Sequence, residues 1–269
     1  MRLKITHTTT FTYDDPVSEA YMEMRLNPLD AGGQRCDSFR LTTDPPGEVR
    51  GYTDRFGNRV RHFDTLAPHA LLVVSARSEV VTPEGYSDPQ RELSILDAYD
   101  YLQPTDYTPL TDDVRDFART CQECAPSGDA AGMAAAVMRA VHRVLAYVPG
   151  STNVRTTAGE ALARGRGVCQ DFAHLMIAAC RAIGLPARYV SGYIFSPRRG
   201  TGAASHAWTD IFIAGRGWIS LDPTHDCAQT DHYVRLAVGR DYADVPPTRG
   251  VYKGAGEEAM NVDVLVEKV

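Results

Sequence analysis

Apolar and polar residues alternate from the first positions of the chain, with Leu3 and Ile5, then Phe11 and Tyr13, spaced among polar neighbours. Period-two alternation of this kind predicts a half-buried strand. Further β-rich runs follow at Tyr21 to Leu26, Ser38 to Thr42, Asn58 to Thr65 and Ala70 to Thr82, separated by Pro, Gly and Asp turns. The first hundred or so residues therefore read as a small sandwich or barrel-like β domain. Residues 83 to 110, rich in Pro, Asp, Tyr and Ser and without a long period, read as a connector. From Asp112 the spacing turns helical, with Val114, Phe117 and Ala118, then Met133, Val137, Val141, Val144 and Leu145 on one face. The fold class expected is α+β: a β domain with its connector over 1–105, then a second domain over 106–269, with no internal repeat or low-complexity tract.

Within the second part, a helix is predicted from Cys169, because Phe172, Leu175, Met176, Ala179 and Ile183 recur at three- and four-residue spacing and Gly184-Leu185-Pro186 ends it. A strand from Arg188 to Phe195, a Pro/Arg/Gly loop through Ala203, and strands from Ser205 to Ile213 and from Trp218 follow. His206, Trp208, Asp210 and Phe212 share one face of the first of these last two; Trp218, Ser220 and Asp222 share one face of the second. In an antiparallel hairpin the two faces coincide only across an odd-numbered loop. A three-residue loop, Ala214-Gly215-Arg216, pairs Ile213 with Gly217 and Trp208 with Asp222. It leaves His206 diagonal to Asp222, roughly 7 to 8 Å apart between backbones and within side-chain reach.

Composition narrows the class without naming a reaction. At 269 residues, 43% hydrophobic and 23% charged, the chain has ample material for a real core. A net charge of -6 without any long acidic or basic block disfavours nucleic-acid binding and suits a soluble monomer or small oligomer, a homodimer included. The N-terminus lacks an apolar signal core, and no stretch approaches the roughly 18 apolar residues of a membrane span. A cytoplasmic protein, off the membrane, is expected. Six irregularly spaced cysteines agree with a reducing compartment. Cys121 and Cys124 form a lone Cys-x-x-Cys without a second Cys or His pair at zinc-site spacing, so no metal and no cofactor are expected.

Cys169 would occupy the first turn of its helix, where unpaired N–H groups and the positive end of the dipole favour thiolate, the attacking species, although Asp171 nearby acts against it. Gly165 and Gly167 allow a tight turn and a close substrate approach, and the Cys169 N–H could face a developing oxyanion. A cysteine packed at a helix end is the plainer alternative. His174 lies roughly 140° around the helix from Cys169 and is no base; packing is its expected role. His206 could take the Cys169 proton while Asp222 holds its ring and favours imidazolium; a surface histidine and an Asp-Pro turn are the plainer readings. Trp208, Trp218 and Tyr147 are candidates to line a cleft, with core packing the commoner role for each.

The chain resembles the transglutaminase-like superfamily, specifically bacterial proteins with an N-terminal β region and a transglutaminase-like core. The resemblance is carried by Tyr147-Val148-Pro149-Gly150-Ser151-Thr152, Arg166-Gly167-Val168-Cys169-Gln170-Asp171-Phe172-Ala173-His174, Pro186-Ala187-Arg188-Tyr189-Val190-Ser191-Gly192-Tyr193, Ser205-His206-Ala207-Trp208, Gly217-Trp218 to Asp222-Pro223-Thr224, and Val238-Gly239-Arg240-Asp241-Tyr242-Ala243-Asp244-Val245-Pro246-Pro247. It implies a papain-like core, its catalytic helix packed on an antiparallel sheet, with nucleophile Cys169, base His206 and orienter Asp222. The substrate it implies is a peptide or protein amide. Attack would give a thioester, and hydrolysis is expected over amine transfer because no amine-donor pocket is marked in the sequence. A second oxyanion donor could come from Gln170 or Tyr147. Where the family usually continues with a small polar residue, this chain has His225-Asp226, which could touch substrate, bind an ion with Asp231 and His232, or cap a turn, the turn being the favoured reading. No helix-loop-helix calcium site is visible, so the metal dependence of animal crosslinking enzymes is not carried over. The rival from another class is a non-catalytic peptide- or protein-binding module that keeps the fold.

Overall fold

A single strand of 23 residues, β1 (Arg2–Met24), organises the first half of the computed structural model, which describes residues 1–86, 88, 90–123, 129–197 and 205–269. Strands β2 (Arg35–Asp44), β3 (Arg50–Thr53), β4 (Arg59–Thr65) and β5 (His69–Val81) join it in the order β2-β5-β1-β4-β3. The pairings are antiparallel. Odd-numbered residues of the first half of β1 point inward, as the alternation of Leu3, Ile5, Phe11 and Tyr13 predicts.

The connector holds helix α1 (Ile95–Leu102), started by Ser94 capping the Asp97 N–H. It was illegible as a periodic segment because Ile95 and Leu96 are exposed and only Tyr101 is buried. After it come α2 (Asp112–Glu123), α3 (Ala130–Val144), α4 (Ala158–Arg164) and α5 (Cys169–Ala182), with a short parallel pair, β6 (Ala146–Tyr147) and β7 (Arg166–Gly167). Cys121 is buried on α2; its sequence partner Cys124 lies outside the described residues.

Helix α5 is apolar nearly all round and buried from Gln170 to Arg181, as a core helix must be. One side packs on the other helices. The other meets a five-stranded sheet of β8 (Ala187–Ile194), β9 (Ser205–Ile213), β10 (Gly217–Asp222), β11 (Cys227–Ala228) and β12 (Tyr233–Gly239), ordered β11-β10-β9-β8-β12. Ala207, Ile211 and Ile213 of β9 share the α5 core cluster. In the β9–β10 hairpin Ile213 faces Gly217 and Thr209 faces Leu221, so the three-residue loop sets the expected parity and puts Asp222 across from Trp208.

Residues 248–268, which the sequence pattern grouped with the second domain, return to the first sheet: β13 (Thr248–Lys253) and β14 (Glu258–Lys268) both pair with β1. Val264 and Val266 join Leu3, Ile5 and Phe11 in one core cluster, together with Tyr193, Val234 and Leu236 from β8 and β12. The two sheets thus pack through shared apolar burial. Among the described residues no helix is long and apolar enough to cross a membrane.

Candidate active site

The turn into α5 is assembled from short-range constraints. Gly165 ends α4 in the left-handed region at φ 62°, a conformation that favours glycine. Val168 has no side chain able to cap, so Asp171 supplies the acceptor: its Oδ2 takes the Val168 N–H at 2.7 Å and the Thr152 hydroxyl at 2.6 Å. Burial pushes the Asp171 carboxyl up. A Cβ at Gly167 would sit 2.6 Å from that carboxylate, so the close approach requiring glycine here is made by Asp171. Cys169 then begins the helix, at the positive end of its dipole.

Asp222, fully buried at the end of β10, is the hub of the site. Its Oδ2 accepts from His206 Nε2, His225 Nδ1 and the Tyr233 hydroxyl, each at 2.7 Å. Its Oδ1 accepts the backbone N–H groups of Thr224 at 2.8 Å and His225 at 3.3 Å. Burial alone would raise this carboxyl, but hydrogen bonds and charge from the two imidazoles hold it well below the usual carboxylate range. Burial alone would likewise lower His206; its bonds to Asp222 and to the Cys169 thiol outweigh that and push it up to about 10. With Nε2 committed to Asp222, Nδ1 is the nitrogen left for Cys169. Tyr233 is pushed far up by burial and by the Asp222 charge, and so remains a donor.

Two cavities flank His206. One, of about 270 Å³, is lined by Cys169, Gln170, Tyr189 and Ala207 and, across from them, by Thr9 and Val262 of the first sheet. The other, of about 550 Å³, is bordered by His206, His225, Tyr147, Phe195, Thr224 and His232. Gln170 therefore lines the first cavity and Tyr147 the second. Gln170 donates to the Val154 carbonyl at 3.0 Å, while Tyr147 is half exposed beside the Phe172 ring.

Trp208 and Trp218 line neither cavity. Trp208 is fully buried, stacked 6.0 Å from His206 and donating its indole N–H to Ser220 at 2.9 Å. Trp218 packs with Tyr101 and Phe212 under the Arg188 guanidinium. His174 is buried on α5 and accepts the Tyr242 N–H at 3.2 Å.

The sequence reading passed over Tyr233, His7 and Thr9. Tyr233 had no local signal. His7 and Thr9 did have one: they are polar residues on the inward side of an alternating strand. Of the residues considered for ion binding, His225 joins His206 and Asp222 in a set whose donor atoms lie within 4.8 Å of one another. Protons already bridge these groups, with both imidazoles directed at one carboxylate oxygen. Asp226, Asp231 and His232 belong to no such group among the described residues; Asp226 sits in the left-handed region of the turn, and His232 lies 3.9 Å from Asp231.

Comparison with known proteins gives the family and the fold. The profile of the transglutaminase-like superfamily matches residues 117–223, and that of the bacterial transglutaminase-like N-terminal region matches residues 3–81. The chain is 36% identical to an uncharacterized protein of Mycobacterium leprae, over 99% of this chain and 98% of that one. It is 33% identical to an uncharacterized protein of Mycobacterium tuberculosis, over 100% and 92%. A solved structure of a candidate cysteine protease from Cytophaga hutchinsonii superposes with a TM-score of 0.79 at 25% identity, covering 100% of this chain and 91% of that one.

Proposed function

We propose that this chain, which belongs to the transglutaminase-like superfamily, is a cysteine enzyme that cleaves amide bonds through a thioester on Cys169. The observation that carries the reading is the His206 ring, held by Asp222 at 2.7 Å through Nε2 in the cavity that it lines together with Cys169, whose thiol helps to raise it. A raised imidazole beside a thiol at a helix N-terminus favours the thiolate–imidazolium pair.

In the forward step the Cys169 sulfur bonds to the amide carbon, and the carbonyl oxygen takes up the electron pair as an oxyanion facing the Cys169 N–H. Collapse breaks the carbon–nitrogen bond as His206 gives its proton to the departing amine, leaving the thioester. Neutral His206 then takes a proton from water, whose oxygen bonds to the acyl carbon while the thiolate leaves. Asp222 keeps the ring in place throughout and stays ionised. Hydrolysis is the favoured outcome because water needs no dedicated site. Transfer to an amine is a second reading, supported by the roomy second cavity that borders His206 and is not lined by Cys169.

The test is the rate of Cys169 alkylation by a small haloacetamide against pH, in wild type and His206→Ala, with the modified cysteine identified by peptide mapping. Fast labelling that persists into acid and disappears in the variant supports the pair. Slow labelling that ignores the variant returns the protein to the binding-module reading. Peptide amides assayed with and without an added amine then divide hydrolysis from transfer.

A further inference from the structure

The inward side of β1 is apolar at Leu3, Ile5, Phe11 and Tyr13 but carries His7 and Thr9 at its centre, and all six side chains are buried. Polar groups in such a position cost stability unless bonded. Here they are bonded: one His7 nitrogen lies 2.9 Å from the Thr9 hydroxyl and the other 2.8 Å from the Tyr193 hydroxyl, which ties the first sheet to β8. Burial pushes His7 down to about 4, so the ring is uncharged at neutral pH. The polar pair in the β1 core stripe sits where the stripe reaches the Cys169 cavity.

That cavity has a further property. Among the described residues that line it there is no aspartate, glutamate, lysine or arginine; β14 contributes Met260 and Val262, the latter directly across from Thr9. Among the described residues, Cys169 and His206 are therefore the groups in its lining that the proposed reaction would charge, with opposite signs. In the proposed reaction the acyl carbon bonds to Cys169, which lines this cavity and not the larger one, so the acyl part of a substrate would occupy it. At about 270 Å³ the space is smaller than pockets for drug-sized ligands, which run from about 300 to 1,000 Å³, and suits one short side chain.

We propose that the first sheet is the specificity wall of the acyl pocket, selecting amides whose residue at the reacting carbonyl has an uncharged side chain, with His7 and Thr9 as its neutral polar lining. A carboxylate or ammonium entering there would lose its water and find no counter-charge. An apolar or amide side chain loses little, and the Thr9 hydroxyl keeps capacity for one more hydrogen bond. This rests on the cysteine-enzyme reading given above.

Four peptidyl chloromethyl ketones, identical except for leucine, glutamine, glutamate or lysine at the position next to the ketone, test it by the rate at which each labels Cys169. Leucine and glutamine probes are expected to label faster than the charged pair by about tenfold or more. In Val262→Lys, the glutamate probe should gain about tenfold on the glutamine probe and the lysine probe should fall further behind. Val262 is exposed at the rim, so the new ammonium can reach water. Met260→Lys, two residues along the same face, repeats the test if the first variant does not fold. Equal labelling by all four probes, or a glutamate-to-glutamine ratio unmoved in the folded lysine variants, overturns the proposal. Haloacetamide labelling of Cys169 that ignores His206→Ala removes the cysteine-enzyme reading and this proposal with it, a failure distinct from lost side-chain preference.

Discussion

Two fully buried carboxylates lie on adjacent paired strands, Asp210 on β9 and Asp222 on β10, and they are neutralised in different ways. Asp210 is held by guanidinium groups: Arg188 Nε and Arg235 Nη1 reach its Oδ2 at 2.9 Å, and Arg235 Nη2 bonds its Oδ1. Arg188 lies over the Trp218 ring and Arg235 over the Tyr86 ring, at 4.0 and 3.9 Å. Asp222 is held by two imidazoles and a phenol. Guanidinium groups do not give up protons at any ordinary pH, whereas imidazoles do. The first cluster is therefore a fixed strut, and the second is built of groups that, in the proposed reaction, exchange a proton with the substrate. Equal burial, with different partners, separates support from chemistry.

The largest expected break of this contrast is Asp222→Asn, which should cut peptide-amide turnover roughly 10³- to 10⁴-fold while leaving the far-ultraviolet circular dichroism native. Asp210→Asn should act the other way. Leaving the buried Arg235 guanidinium without its counter-charge, and Arg188 with Asp88 alone, is expected to cost about 3–5 kcal/mol in urea unfolding, with turnover per folded molecule far less affected.

A pH series sharpens the comparison. His206 is raised from an ordinary value of 6.5 to about 10, so the stability it contributes is whole below 6.5 and is lost as pH rises through about 10. Asp222 is depressed, so its contribution is present above an ordinary 3.8 and disappears only as pH falls through its far lower folded value. The destabilisation caused by His206→Gln should accordingly shrink between pH 6.5 and about 10, while that of Asp210→Asn stays level across the same range. The smallest effect expected is from His225→Ala. It removes one of three donors on Asp222 Oδ2, and should change turnover by roughly two- to tenfold and move its alkaline limb upward, because His206 then faces less competition for the carboxylate.

Much of this site was legible because its geometry follows from parity. An odd loop and a period of two bring His206 and Asp222 to one face of a hairpin, with no need to know anything distant. Trp218 shares a side with Asp222 but stands four residues away along the strand, roughly 13 Å, packed among Tyr101 and Phe212 in the core role that was the commoner expectation for it. Tyr233 and His225 were harder to foresee, yet an ionised carboxylate has about four acceptor positions, and burying one obliges the fold to fill them. Helix α4 did carry a local signal, the Thr157 and Glu160 capping box, which had gone unread. The return of β13 and β14 to β1 left no such mark, since strand pairing at that distance is settled by burial of both partners rather than by neighbouring residues.

That return has a consequence for how the protein comes into being. The Thr12 side chain on β1 bonds to Ala259 across a separation of 247 residues. On the ribosome, β1 waits for a mate made 247 residues later, and long-range pairings of this kind close slowly. Met260 and Val262 arrive with that mate, so the thiol, the imidazole and the carboxylate have all been synthesised before their cleft has its second wall. Translation itself thus sets the order of events: the thiol, imidazole and carboxylate exist before the enclosure that would select what reaches them.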